Sequence, residues 1–317
     1  MSQLIPSDLE DAIDSLRYKR RAVILAHYYQ DEDIQDIADF VGDSLDLSRR
    51  AAATDAEVIV FCGVRFMAET AKILAPERIV VLPDNDAGCS LEDSCKADDF
   101  RAYRQRHPDH FAVTYINCSA EVKALSDLIV TSSNAEALIK QIPLEQKILF
   151  APDRHLGAYL AKKTKRDLLL WQGVCVVHEQ FSERSLIRLK TQYPQAQLTA
   201  HPECSESVLK HADHIGSTAA MLAFVTKSDA QQFIIATEKH IIHQMHKRAP
   251  HKTFIPAPAM DGGDHCDCAR CPYMAMNTME KLYLCLQNMT PRIELDCLLY
   301  TSPSPRDRTR SRMPSSA

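Results

Sequence analysis

Three cysteines, Cys89, Cys175 and Cys271, stand 86 and 96 residues apart along the chain. Zinc ribbons and fingers draw their ligands from paired local motifs, so thiolates this widely spaced suit a group held between whole folding units. A 4Fe-4S cluster bound by three cysteines leaves one iron open. Such an iron acts as a Lewis acid on a bound substrate instead of only passing electrons. Any one cysteine also has a plainer reading as a small buried hydrophobe, and that reading is taken for Cys62, Cys118 and Cys285. For Cys271 there is a further alternative, a zinc knuckle with His265, Cys266 and Cys268 in a non-catalytic metal module.

Other chemistry-bearing residues fall at the ends of apolar segments. His27 with Tyr29, Tyr115 with Asn117, and His201 with Glu203 are placed where general acids and bases of several units would converge. Ser44, Ser132 and Thr218 lie in the loops GDS, TSS and GST, each opening a helix. Unpaired N–H groups and the helix dipole favour anions there. Singly, each loop reads as an ordinary N-cap. At three matched positions they point to a polyanionic substrate with phosphate or several carboxylates.

The elements that position these residues repeat. His27, Tyr115 and His201 are 88 and 86 residues apart, and Ser44, Ser132 and Thr218 keep the same spacing. Each hydroxyl loop is followed by an apolar run with a polar end (EVIVFCG, KILFAPD, QFIIATE), a helix, a second apolar run and then a cysteine. Strands alternating with helices predict parallel sheets covered on both faces, whose carboxyl ends carry the ligand groups. The expected fold is α/β, with three pseudo-symmetric αβα units around a central iron-sulfur site. Their expected bounds are 1–108, 109–194 and 195–296, the last including a terminal helix. Residues 297–317, containing LLYTSPSPRDRTRSRMPSSA, have no helical or strand period and read as a non-native or disordered basic tail outside the fold.

Composition excludes other classes. With 45% apolar and 25% charged residues the chain has ample material for a core, and its net charge of -5 argues against a nucleic-acid or membrane-surface binder. Neither a leader-like N-terminus nor an apolar stretch of membrane-spanning length is read, so the cytoplasm is the expected address and the 11 cysteines are expected as thiols or metal ligands. Glycine is scarce, at eight residues. Several lie just before the cysteines, at Gly88, Gly173, Gly262 and Gly263, where tight turns are expected.

Taken in order, AHYYQDEDIQDIAD, GDSL, CGVRFMAETAKIL, GCSL, TYINCSAEVKA, VTSSNA, FAPDRHLGAYL, WQGVCVVHE, AHPE, GSTAAM and CPYMAMN resemble the quinolinate synthase family. The resemblance covers about residues 20–280. It implies a three-domain enzyme with a 4Fe-4S cluster at the domain junction. The implied reaction condenses iminoaspartate with dihydroxyacetone phosphate to quinolinate, releasing phosphate and water, in NAD biosynthesis. An aspartate-oxidising enzyme is the implied transient supplier of iminoaspartate. Carried over by motif, the cluster ligands are Cys89, Cys175 and Cys271, and the catalytic residues are Tyr29, Tyr115, His201 and Glu203. The substrate-binding positions are His27, Ser44, Asn117, Ser132, His178 and Thr218, with Met67 and Met274 lining the pocket. Many family members read Cys-x-x-Cys-x-x-Cys before the last ligand, whereas this chain has His265, Cys266, Asp267, Cys268, Ala269, Arg270, Cys271. A redox pairing of Cys268 is therefore in doubt. An iron-sulfur hydro-lyase acting on a different acid is the remaining alternative, separable only by assay with substrate.

Overall fold

The computed structural model describes residues 5–259 and 269–295. Within them the recurring apolar runs form three sheets of four strands. The first contains β1 (Ala22–His27), β2 (Phe40–Gly42), β3 (Val58–Cys62) and β4 (Ile79–Val81), in the order β2-β1-β3-β4. The second contains β5 (His110–Tyr115), β6 (Leu128–Val130), β7 (Lys147–Ala151) and β8 (Leu168–Leu170), in the order β6-β5-β7-β8. The third contains β9 (Gln197–Ala200), β10 (His214–Ile215), β11 (Gln232–Ala236) and β12 (Thr253–Pro256), in the order β10-β9-β11-β12.

Every pairing is parallel. Parallel neighbours need crossover connections, and the intervening helices cover both faces. That is why a central strand such as β3, Val-Ile-Val-Phe-Cys, is apolar without interruption and buried throughout. The edge strands β2, β6 and β10 have only two or three residues and carry no readable period of their own. They form by docking onto the neighbouring strand, as in Leu25↔Phe40, Ala26↔Val41 and His27↔Gly42. Each then releases the chain into its hydroxyl loop.

Apolar contact joins the sheets and fixes where their carboxyl ends meet. Leu25 and Phe61 of the first sheet share one core cluster with Val113 and Phe150 of the second. Tyr28, just past β1, is buried among Met221, Leu222 and Phe233 of the third sheet's layer. The helix Met279–Asn288 follows the third sheet in sequence yet covers the first. Its Leu282 and Leu286 pack with Ile13, Ile24 and Val60, against the helix Leu9–Lys19. Among the described residues no helix is long and apolar enough to cross a membrane.

A tight turn is found at Gly88, whose N–H donates to the Asp86 carbonyl at 2.7 Å, and none of the described glycines has positive φ. Gly173 is required by close approach. A Cβ there would lie 2.2 Å from Ser94 Oγ and 2.5 Å from the Pro152 carbonyl oxygen, whereas Gly88 has ordinary room. Gly262 and Gly263, like the tail 297–317, lie outside the described residues. Cys62, Cys118 and Cys285 sit fully buried in core clusters, and burial pushes each of their thiols up.

Candidate active site

The carboxyl ends of all three sheets open into one cavity. His27, Tyr29, Ser44 and Cys89 reach it from the first sheet's loops, Tyr115, Asn117, Ser132, Cys175 and His178 from the second's, and His201, Glu203 and Thr218 from the third's. Cys271, Met67 and Met274 complete the positions named from sequence, with Val64, Phe66 and Val177 as apolar wall. Among the described residues no lysine or arginine lines it.

A chain of close polar contacts runs across this cavity. Tyr29 Oη lies 2.6 Å from Thr237 Oγ1, which lies 2.8 Å from His178 Nε2. The other ring nitrogen, Nδ1, is 2.9 Å from Glu203 Oε2, near enough to share charge though not aligned as a hydrogen bond. Tyr115 donates its hydroxyl to Glu203 Oε1 at 2.6 Å. Two tyrosines from different sheets are thus linked through Thr237, His178 and Glu203. Burial raises both phenols well above their usual range, so they are O–H donors. Burial alone would raise Glu203 too, but His201, His178 and the Tyr115 hydroxyl hold it below the usual carboxylate range. Sequence reading missed Thr237. The polar end of QFIIATE is visible in the sequence, but nothing local tells which of its residues bridges Tyr29 and His178 behind the cavity lining.

His27 and His201 are equivalent in the repeat and are set up alike. The Tyr29 N–H donates to His27 Nδ1 (3.2 Å) and the Glu203 N–H to His201 Nδ1 (3.4 Å), leaving Nε2 as the protonated nitrogen of each neutral ring. Burial lowers His27 to about 4 against opposing pulls from Asp43 and Glu203, and lowers His201 to about 3. Unfolded, both titrate near 6.5, so the unfolded chain takes up protons that the fold refuses. Stability is therefore full above about pH 6.5 and declines as pH falls toward 4, by an amount on the order of 3 kcal/mol for His27 alone. Thermal unfolding across this range should show the decline in wild type and a shallower one in His27→Asn. Parallel curves would contradict a neutral His27 in the fold.

The hydroxyl loops divide capping from cavity lining. Asp43, not Ser44, caps the helix Ser44–Ala53, accepting from Leu45 N and Asp46 N at 3.0 and 2.9 Å. Ser217, not Thr218, caps Thr218–Lys227. The caps also meet one another, because Ser133 Oγ is 2.9 Å from both Asp43 Oδ2 and Ser217 Oγ and so ties all three loops together. Ser44 and Thr218, one residue inside each helix, are left to line the cavity beside free helix N–H groups. Asp43→Ala should then cost about 1 kcal/mol or more in urea unfolding. Ser44→Ala should stay within about 0.5 kcal/mol of wild type and instead weaken binding of a phosphorylated substrate. Equal stability losses in the two variants would return Ser44 to a capping role.

The three cysteines also repeat in detail. Near each sulfur the backbone N–H of the residue three further on, Glu92 for Cys89, His178 for Cys175 and Met274 for Cys271, favours the thiolate. Burial pushes the thiols up, Cys271 to about 11 and the other two well above the usual range; charge on another of the three raises Cys89 and Cys175 further, and Glu238 and Glu203 raise Cys271. With no lysine or arginine lining the cavity among the described residues, the three would be held as thiolates only by a cationic group between them, and backbone N–H groups near sulfur are of the kind that tune sulfur ligands. The donor set therefore fits an iron-sulfur cluster. Cys175, His178 and Glu203 also present ligand atoms within 4.8 Å of one another, a grouping able to hold a metal ion. His265, Cys266 and Cys268 of the alternative zinc knuckle lie outside the described residues.

Three repeated α/β layers that pool thiols, hydroxyls and an acid–base chain in one cavity define a multi-unit α/β enzyme with a single shared site. A family model described as Quinolinate synthetase A protein matches residues 11–302. Among curated relatives, a quinolinate synthase of Microcystis aeruginosa is 60% identical over 291 residues, covering 92% of this chain and 90% of its own. One from Synechocystis is 58% identical over 293 residues (92% and 91%), and one from Gloeothece citriformis 59% identical over 295 (93% and 90%). The chain belongs to the quinolinate synthetase A family and is an enzyme of that type.

Proposed function

We propose that this enzyme condenses iminoaspartate with dihydroxyacetone phosphate to quinolinate, releasing phosphate and water, as a step of NAD biosynthesis in the cytoplasm. The observation that carries the reading is the opening of Cys89, Cys175 and Cys271 into the cavity lined by Tyr29, His178, Glu203 and Tyr115, which Thr237 links from behind into one polar chain. Those cysteines would hold a 4Fe-4S cluster. When bound, such a cluster supplies an iron free of protein ligands, a Lewis acid toward the nitrogen-bearing substrate.

The remaining tasks fall to the chain's own groups. Ser44 and Thr218 at their helix starts, and Ser132 in a turn before the helix Ala135–Ile139, bind phosphate and carboxylates by hydrogen bonding where no lysine or arginine lines the cavity. His27 and His201 offer Nε2–H, and Asn117 its amide, to orient substrate oxygens. Isomerisation, ring closure and dehydration each move protons between carbon, nitrogen and oxygen. As a substrate proton reaches the Tyr29 oxygen, the Tyr29 hydroxyl proton can pass to Thr237 and the Thr237 hydroxyl proton to His178 Nε2, and Glu203 stabilises the imidazolium that results. Tyr115 holds its proton on the opposite face of the same carboxylate. Val64, Phe66, Met67 and Met274 keep water from reactive intermediates. Because an imine of this kind hydrolyses in water, an enzyme that oxidises aspartate would supply it nearby.

The test is an oxygen-free assay of purified protein, with aspartate, an aspartate-oxidising enzyme and dihydroxyacetone phosphate, followed by chromatographic detection of quinolinate. Product should form and should vanish when either substrate is omitted. Absence of product from cluster-loaded protein would favour an iron-sulfur hydro-lyase acting on another acid.

A further inference from the structure

The repeat extends to the backbone that carries each cysteine. Two residues beyond the central strands β3, β7 and β11 stand Val64, Asp153 and Glu238. In each unit the residue after this position donates its N–H to the carbonyl two residues before the cysteine. The three bonds are Arg65 to Ala87 (2.7 Å), Arg154 to Gly173 (2.9 Å) and Lys239 to Ala269 (3.3 Å). One bond thus pins the approach to Cys89, to Cys175 and to Cys271, and it is longest at Cys271.

At that third position the side chain adds what the backbone lacks. Val64 is apolar, and Asp153 spends one oxygen on capping the next helix, accepting from Leu156 N at 2.7 Å. Glu238, fully buried and one methylene longer, reaches the Cys271 backbone N–H at 3.4 Å. The same carboxylate binds His240 twice, through its N–H and through Nδ1, both at 2.8 Å. His240 Nε2 continues to Asp31 at 3.0 Å, and Asp31 pairs with Arg270 at 3.1 Å, beside Cys271. The ring closes on itself and anchors the Cys271 segment to the first sheet's side of the molecule.

We propose that Glu238 is a positioning residue for Cys271, holding the third cluster ligand through its backbone N–H and through the His240–Asp31–Arg270 ring. The inference rests on the cluster reading given above. Outer contacts of this kind set ligand geometry and commonly change metal affinity by tenfold or more when removed.

The experiment compares oxygen-free, cluster-loaded wild type with Glu238→Asp, Glu238→Gln and Asp31→Asn. It follows the rate of iron loss to a chelator, the EPR g-values of the reduced cluster and the melting temperature of the cluster-free protein. Glu238→Asp keeps a carboxylate of the length that already caps the matched helix in the second unit, so its fold should hold. Both Glu238 variants should lose iron roughly tenfold faster with shifted g-values. Asp31→Asn, at the surface, should change both in the same direction by less. Release rates and g-values like those of wild type would overturn the assignment, as would a lowered melting temperature with an unchanged cluster signature. Should Glu238 variants fail to fold, Asp31→Asn decides by the same criteria. A wild type that takes up no iron and sulfide would instead sink the cluster reading, and Glu238's role with it.

Discussion

Serine in place of Cys89, Cys175 or Cys271 should abolish the brown colour of protein isolated without oxygen, together with its content of about four irons and four sulfides per chain. The three thiols face one cavity from separate segments, each near a backbone N–H that favours its thiolate, and no other described cysteine lines that cavity. A hydroxyl has neither the softness nor the acidity to replace a thiolate on iron. Serine at Cys62, Cys118 or Cys285 should leave the colour intact while lowering stability, because those thiols are packed into apolar cores. Colour and iron content decide the matter. A cluster that needs Cys266 or Cys268 but survives without Cys271 would show that the third ligand is misassigned.

Glu203→Gln should lower turnover by about a hundredfold or more, the usual scale for loss of an acid–base group. The carboxylate receives the Tyr115 hydroxyl at 2.6 Å and lies 2.9 Å from His178, so it sits at the junction of both arms of the proton chain. Glutamine keeps the shape and one acceptor but cannot stabilise an imidazolium at His178. The visible spectrum of the cluster should be preserved, which separates lost catalysis from lost assembly. Near-normal turnover with an intact spectrum would move the proton-transfer role to Tyr29, Tyr115 and His201.

The central strands and the cysteines were legible because parallel strands buried on both faces must be apolar without interruption, and the repeat placed their polar ends in register. His27, Tyr115 and His201 lie at or just past the ends of β1, β5 and β9 for that reason. The edge strands were not legible, since β10 is two residues long and exists only by pairing with β9. The cap positions were ambiguous by one residue. Asp43-Ser44 and Ser217-Thr218 each offer two capping side chains, and only the backbone angle at the turn chooses between them. Thr237 joins Tyr29 to His178 across 208 and 59 residues of sequence, a relation without any local signature. The docking of Met279–Asn288 on the first sheet is equally non-local. Its apolar stripe says that it packs, not where.

The most direct test of the account is to measure quinolinate turnover as a function of cluster occupancy, reconstituting metal-free protein with graded iron and sulfide under oxygen-free conditions. Turnover should be proportional to cluster content and absent from protein carrying zinc alone. Quinolinate formation at full rate by metal-free or zinc-loaded protein would contradict it.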